Sequence, residues 1–134
     1  MQLLIHPADE LPIYRQIMRQ ITEAIAVGRL KAGEKLPSHR DLSEQLVIAP
    51  LTVKKAYDEL ELLGFLETQR GRGTFVCARL PQPNPEHQME QVRDTARKLL
   101  SQAYLAGLRY PEVLQILERA DHSLGVPARE EEKV

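Results

Sequence analysis

Pro37, Pro50 and Gly64 restrict the fold of this chain more than any other residues. They bracket the stretch PSHRDLSEQLVIAPLTVKKAYDELELLG and forbid a single long helix within it. A helix interior excludes proline, because the ring removes an N–H donor and strikes the preceding turn, whereas the first turn tolerates it. Pro50 therefore opens a helix, and the helix before it stops within the few residues VIA. Ser38 stands where it caps that earlier helix, in a capping-box pattern with Asp41 in place of the usual Glu. Leu42 and Leu46 follow at helical spacing, which predicts a short helix over residues 39–46. The later helix starts at Pro50, buries Val53, Ala56, Tyr57, Leu60 and Leu63, and ends at Gly64. Two short helices across a tight turn make a helix-turn-helix.

The flanking residues place this motif in a larger unit. Ile13, Ile17, Ile21 and Ile25 recur every four residues and predict a helix over residues 12–27, with Gly28 as its C-cap. QLLI near the start reads as a short strand or an arm, and GRLKAGEKLP as a loop. FLETQ and GTFVC read as two strands joined across RGR, where glycine takes positive φ without steric cost. Helix, helix-turn-helix and hairpin in this order form a winged helix. The stretch ARLPQPNPE holds three prolines at alternating positions and reads as an extended, fairly stiff linker. Beyond it, Met89, Val92, Ala96, Leu99, Leu100, Ala103 and Tyr104 form one helical stripe that stops at Gly107. YPEVLQILERA gives a second, shorter helix. The expected organisation is a winged helix over 1–77, a linker over 78–86 and a two-helix domain over 87–120. The tail over 121–134, which ends in REEEKV, is expected to be disordered. The fold class is mainly α with a small β-hairpin.

Composition narrows the function. The chain has 134 residues, 43% of them apolar, and a formal charge of −1. That total is mild evidence against a nucleic-acid-binding domain, although a few clustered cations act locally. One cysteine, Cys77, excludes an internal disulfide and reads as a small buried hydrophobe in a reducing compartment. The four histidines are scattered without ligand spacing. No signal peptide is evident, and no window approaches the roughly 20 apolar residues of a membrane span. There is no nucleophile–base pair and no carboxylate dyad. The glycine-rich tip lacks the following helix that a dinucleotide site needs. Neither an enzyme nor a cofactor is expected.

In sequence order and spacing, PIYRQI, LPSHRDL, TVKKAYDELELLGFLE and GRGTFV resemble the GntR family of bacterial transcription regulators. The resemblance spans roughly residues 10–77, and the short remainder is similar to the YtrA subfamily. It implies a dimeric winged helix in the cytoplasm that binds an operator near its own gene, with repression expected. It also implies DNA contacts at Arg40, at Thr52 and Lys54 of the recognition helix, and at Gly71, Arg72 and Gly73 of the wing tip. Three positions depart from the family pattern. Val47 stands where the turn commonly has glycine, and Ala49 and Leu51 stand where polar residues are common. Alanine caps a helix poorly, at a cost of about 1 kcal/mol.

The residues themselves add to this reading. Ser38 and Arg40 stand at the positive end of a helix, suited to a phosphate or a guanine. With Val53, Ala56 and Tyr57 turned inward, Lys54 and Lys55 point outward from the recognition helix. Leu51 cannot hydrogen-bond a base but can pack on a thymine methyl. Arg70 and Arg72 crown a tip whose glycines allow close approach to a sugar–phosphate backbone or the minor groove. The stripe from Met89 to Tyr104 has one short helix to cover it, so a second copy related by a two-fold axis is expected to complete it. The expected partners are double-stranded DNA as an inverted-repeat operator, a second copy of the chain, and an unidentified small-molecule effector for which a dimer interface leaves room; a membrane is not among them. One alternative stays open: a winged helix that binds protein and has lost its affinity for DNA.

Overall fold

The computed structural model describes residues 2–81 and 84–125 and divides the chain into two compact units, Met1–Pro81 and Gln82–Val134. The first unit contains α1 (Ile13–Ala26), β1 (Lys35–Leu36), α2 (His39–Leu46), α3 (Pro50–Leu62), β2 (Leu66–Gln69) and β3 (Gly73–Val76). The second contains α4 (Pro85–Leu105) and α5 (Tyr110–Leu124).

Local chemistry explains where the helices of the first unit begin and end. Ser38 Oγ accepts the backbone N–H of Asp41 at 3.0 Å, which satisfies one of the unpaired donors that open α2. Pro50 occupies the first turn of α3, while Ala49 at the N-cap offers no side-chain acceptor. Isoleucines at four-residue spacing place Ile17 and Ile21 wholly out of solvent on α1. They meet Leu42 of α2 and Val53, Ala56 and Leu60 of α3, and Leu36, Leu66 and Val76 close the core from the sheet. Each such fully buried side chain contributes roughly 1.5–3 kcal/mol relative to exposure. Tyr57 is buried in the same core, and its hydroxyl donates to the carbonyl of Pro37 at 2.8 Å. Burial holds its phenol above the usual value, so it stays neutral.

The sheet has three antiparallel strands in the order β1-β3-β2, rather than the two of a simple hairpin. Lys35 and Leu36 lie in the stretch expected to be loop, yet they pair with Phe75 and Thr74. Two residues are too few to show a strand period, so only the distant partner reveals the strand. On the other side β2 pairs Leu66 with Val76 and Gln69 with Gly73.

One open alternative is resolved and two further expectations change. Residues 2–11 form an arm and contain no strand. Side-chain amides hold the arm: Gln16, itself buried, donates to the carbonyls of His6 and Leu11 and accepts the N–H of His6, while Gln20 brackets Leu4 in the same way. Leu63 is not part of the buried face of α3; it follows the last helical residue and is 55% exposed, with Gly64 turning the chain at φ 87°. In the second unit α4 starts at Pro85, inside the stretch read as linker, because Asn84 caps it and proline suits a first turn. The middle of that linker, residues 82–83, lies outside the described residues.

The second unit is sparse. Ala103 and Val113 are its buried hydrophobic residues. The Glu112 carboxylate accepts the backbone N–H of Arg109 at 3.0 Å and fixes the start of α5. The helix continues through Leu124 to Gly125, whose left-handed φ of 66° ends it. Residues 121–124 are therefore helical where disorder was expected, although Asp121, His122 and Ser123 are polar and exposed, because the helix runs on to its cap at Gly125. The rest of the expected tail, 126–134, lies outside the described residues.

Candidate nucleic-acid interface

The wing tip is built by its glycines. The N–H of Arg72 donates to the carbonyl of Gln69 at 2.9 Å and closes a four-residue turn. Gly71 takes its third position at φ 76°, as a type II turn requires. Gly73 follows at φ 122°, and a Cβ there would lie 2.9 Å from Cε of Lys35 on the neighbouring strand. Glycine at 73 thus lets the lysine stem cross the wing backbone. Arg70, Gly71 and Arg72 stand in solvent at the tip.

The fold joins this tip to the start of α2. Lys35, Ser38, His39 and Asp41 line one side of an open groove of about 670 Å³, and the wing from Thr68 to Thr74 lines the other. Of the expected DNA-binding residues, Ser38, Arg70, Gly71, Arg72 and Gly73 meet there. Arg40, Leu51, Thr52, Lys54 and Lys55 do not line it. Arg40, Leu51, Lys54 and Lys55 are exposed, and Thr52 is half-buried. Sequence reasoning missed Lys35, His39, Gln69 and Thr74 as members of the groove. Lys35 is there through its pairing with β3, for which the sequence carries no local sign.

The cations of α3 have intramolecular partners. Lys54 Nζ lies 2.8 Å from Oδ2 of Asp58, one turn along the helix. Lys55 Nζ sits 4.2 Å from the ring centre of Tyr14, within cation–π range. Tyr14 also accepts Nε of Arg15 at 3.2 Å through its hydroxyl. Both lysines remain exposed, so these pairs are weak and exchange readily with a phosphate. The turn between α2 and α3 holds Val47 at φ 56°, the single non-glycine residue of the described chain with positive φ.

In the second unit, Met89, Val92, Ala96 and Tyr104 of the expected dimer stripe are exposed, Leu99 and Leu100 half-buried and Ala103 buried. Val92, Ala96 and Leu99 line an open, mostly apolar groove with Leu117 of α5. The expected stripe omitted Leu105, Leu114, Ile116 and Leu117, all exposed. Cys77, expected to be buried, is half-buried; burial, then Glu67 and Glu61, push its thiol up, which disfavours the thiolate. Among the described residues no helix is long and apolar enough to cross a membrane, and no group of three or more His, Cys, Asp or Glu is placed to hold a metal.

Residues 13–76 match the family described as bacterial regulatory proteins, gntR family. The HTH-type transcriptional repressor YtrA of Bacillus subtilis (strain 168) is 39% identical over 104 residues, covering 78% of this chain and 80% of that protein. The crystal structure of a transcriptional antiterminator from Listeria monocytogenes EGD-e matches 98% of both chains with a TM-score of 0.77 at 26% identity. The DNA-binding domain of AraR, solved in complex with operator ORX1, matches 56% of this chain and 93% of its own at 32% identity and a TM-score of 0.50.

Proposed function

Because this chain belongs to the GntR family of bacterial regulatory proteins, we propose that it is a transcriptional repressor that binds an inverted-repeat operator as a homodimer. Its relatives are transcription regulators and not enzymes, and it is a DNA-binding regulator of the same kind, working in the cytoplasm beside the chromosome. The observation that carries the reading is the groove between the start of α2 and the wing. It gathers Ser38, Lys35, Arg70 and Arg72 on one face of the first unit, beside a helix-turn-helix. In this reading the first turn of α3 enters the major groove, and the wing arginines neutralise the flanking backbone or reach the minor groove. Arg40, exposed in the first turn of α2, holds a phosphate with help from the helix dipole. Asp41, also at the groove, limits where an anion settles.

The net charge of −1 does not oppose this, since the cations act over a distance comparable to the Debye length. The second copy comes from α4 and α5. Two such units related by a two-fold axis present two recognition helices to half-sites about one helical turn, roughly 34 Å, apart.

Selection of bound fragments from genomic DNA tests the reading and names the target. An inverted repeat is expected among them; a chain that retains no fragment at low salt overturns it. Arg72→Ala then checks the wing. It should weaken binding to all sequences alike and reduce the slope of log affinity against log salt by about one. An unchanged slope assigns the tip to solvent.

A further inference from the structure

In helix-turn-helix proteins the base edges are met by the first residues of the recognition helix. Here those residues are Ala49, Pro50, Leu51 and Thr52, preceded in the turn by Val47. Val47, Ala49, Pro50 and Leu51 carry no hydrogen-bonding side chain, and Pro50 lacks even a backbone N–H. Val47 is 88% exposed and Leu51 77%. Poor packing does not explain this, since the core beneath is closed by Val53, Ala56 and Leu60 of the same helix. Leu51 shares the outward face of α3 with Lys54, Lys55 and Asp58, which follow at helical spacing. The two lysines pair weakly with Asp58 and with the ring of Tyr14 and remain exposed beside Leu51. Thr52 carries the hydroxyl of this turn but is half-buried, so the exposed side chain that the first turn of α3 offers to base edges is the apolar Leu51, flanked by cations.

The major groove displays one apolar group, the 5-methyl of thymine. We propose that the first turn of α3 reads thymine by its methyl, with Leu51 as the reading side chain. This inference rests on the DNA-binding reading and names the feature of the operator that the site selects. A leucine on a methyl gains by excluding water from both, and it rejects cytosine at that position because the methyl is missing there. The burial of one methyl corresponds to about fourfold in affinity.

The test uses the full chain and a half-site pair obtained by selection from a synthetic library without methylated cytosine, where thymine is the single source of the methyl. Each thymine of the selected operator is replaced in turn by deoxyuracil, which removes the methyl and keeps every hydrogen-bonding group. One or two positions in each half-site should lose about fourfold in affinity. Leu51→Ala should abolish that loss, whereas Arg72→Ala should lower affinity overall and leave the loss in place. Leu51 is exposed, so its replacement should not disturb folding, and an unchanged thermal melt checks this. An operator bound equally well with uracil at every position overturns the inference and leaves the DNA-binding reading standing. So does a uracil effect that persists in Leu51→Ala. A chain that selects no DNA overturns both.

Discussion

The two units of this protein differ in how far each can bury its own apolar surface. In the first, three helices and a three-stranded sheet surround Ile17, Ile21, Leu42, Leu60 and Val76, none of which reaches solvent appreciably. In the second, two helices share one seam through Ala103 and Val113. Val92 and Leu105 remain 64% and 90% exposed, along with Met89, Tyr104, Tyr110, Leu114, Ile116 and Leu117. A pair of helices has a single mutual face, so whatever is apolar elsewhere stays wet until another surface covers it. An exposed set of this size on a small unit marks an association surface. The lesson is that the winged helix encloses its own core, whereas the helical pair leaves most of its apolar side chains exposed. The homodimer proposed above would cover them.

Removing the second unit should have the largest effect. A chain ending at Leu80 should keep the melting behaviour of the first unit, since Leu80 still packs on the core. It should be monomeric by light scattering, and its operator affinity should fall by about 10²–10⁴-fold with the loss of bivalent attachment. A truncated chain that still dimerises and binds as tightly breaks the contrast.

Next comes a matched pair of truncations of leucine. Leu60→Ala should cost about 2–5 kcal/mol in urea unfolding, because a fully enclosed side chain leaves a cavity. Leu105→Ala should cost under about 0.5 kcal/mol in the isolated chain, as surface changes do. A larger cost that grows with protein concentration would place Leu105 in the dimer contact.

Tyr57 sharpens the comparison through pH. Its phenol is raised by burial and stays protonated in the folded chain, while in the unfolded chain it ionises near pH 10. Above that pH the unfolded state releases a proton that the folded state keeps, so stability falls as pH rises. Below it the contribution is fully present. Tyr57→Phe should flatten this alkaline loss and cost about 1 kcal/mol at neutral pH, since the Pro37 carbonyl loses its donor.

The smallest effect is a gain. Val47 is held in a left-handed conformation that costs a branched side chain about 1–2 kcal/mol. Val47→Gly removes that strain and raises the entropy of the unfolded chain, so a net stabilisation of about 0.5–1 kcal/mol is expected. Thermal unfolding of the first unit measures it, and a lower midpoint contradicts the strain assigned to this turn.

The sequence by itself determined the helices of the first unit. Capping, proline placement and four-residue spacing act between near neighbours, so Ser38, Pro50 and the isoleucines of α1 mark their element without help from the rest of the fold. The glycines of the wing are legible for the same reason, because positive φ is a local demand. The end of α5 was misplaced, since a polar, charged last turn looks like a tail until Gly125 is seen to cap it. Tertiary structure alone decided what depends on distant partners. Lys35 is a strand residue because Phe75 lies beside it, and Gln16 is a buried clamp because the arm folds back over α1. The ring of Tyr14 takes up Lys55 of α3, and the groove joins Ser38 to Arg72. Such pairings depend on three-dimensional proximity between segments far apart in the chain, and no local period or cap encodes them.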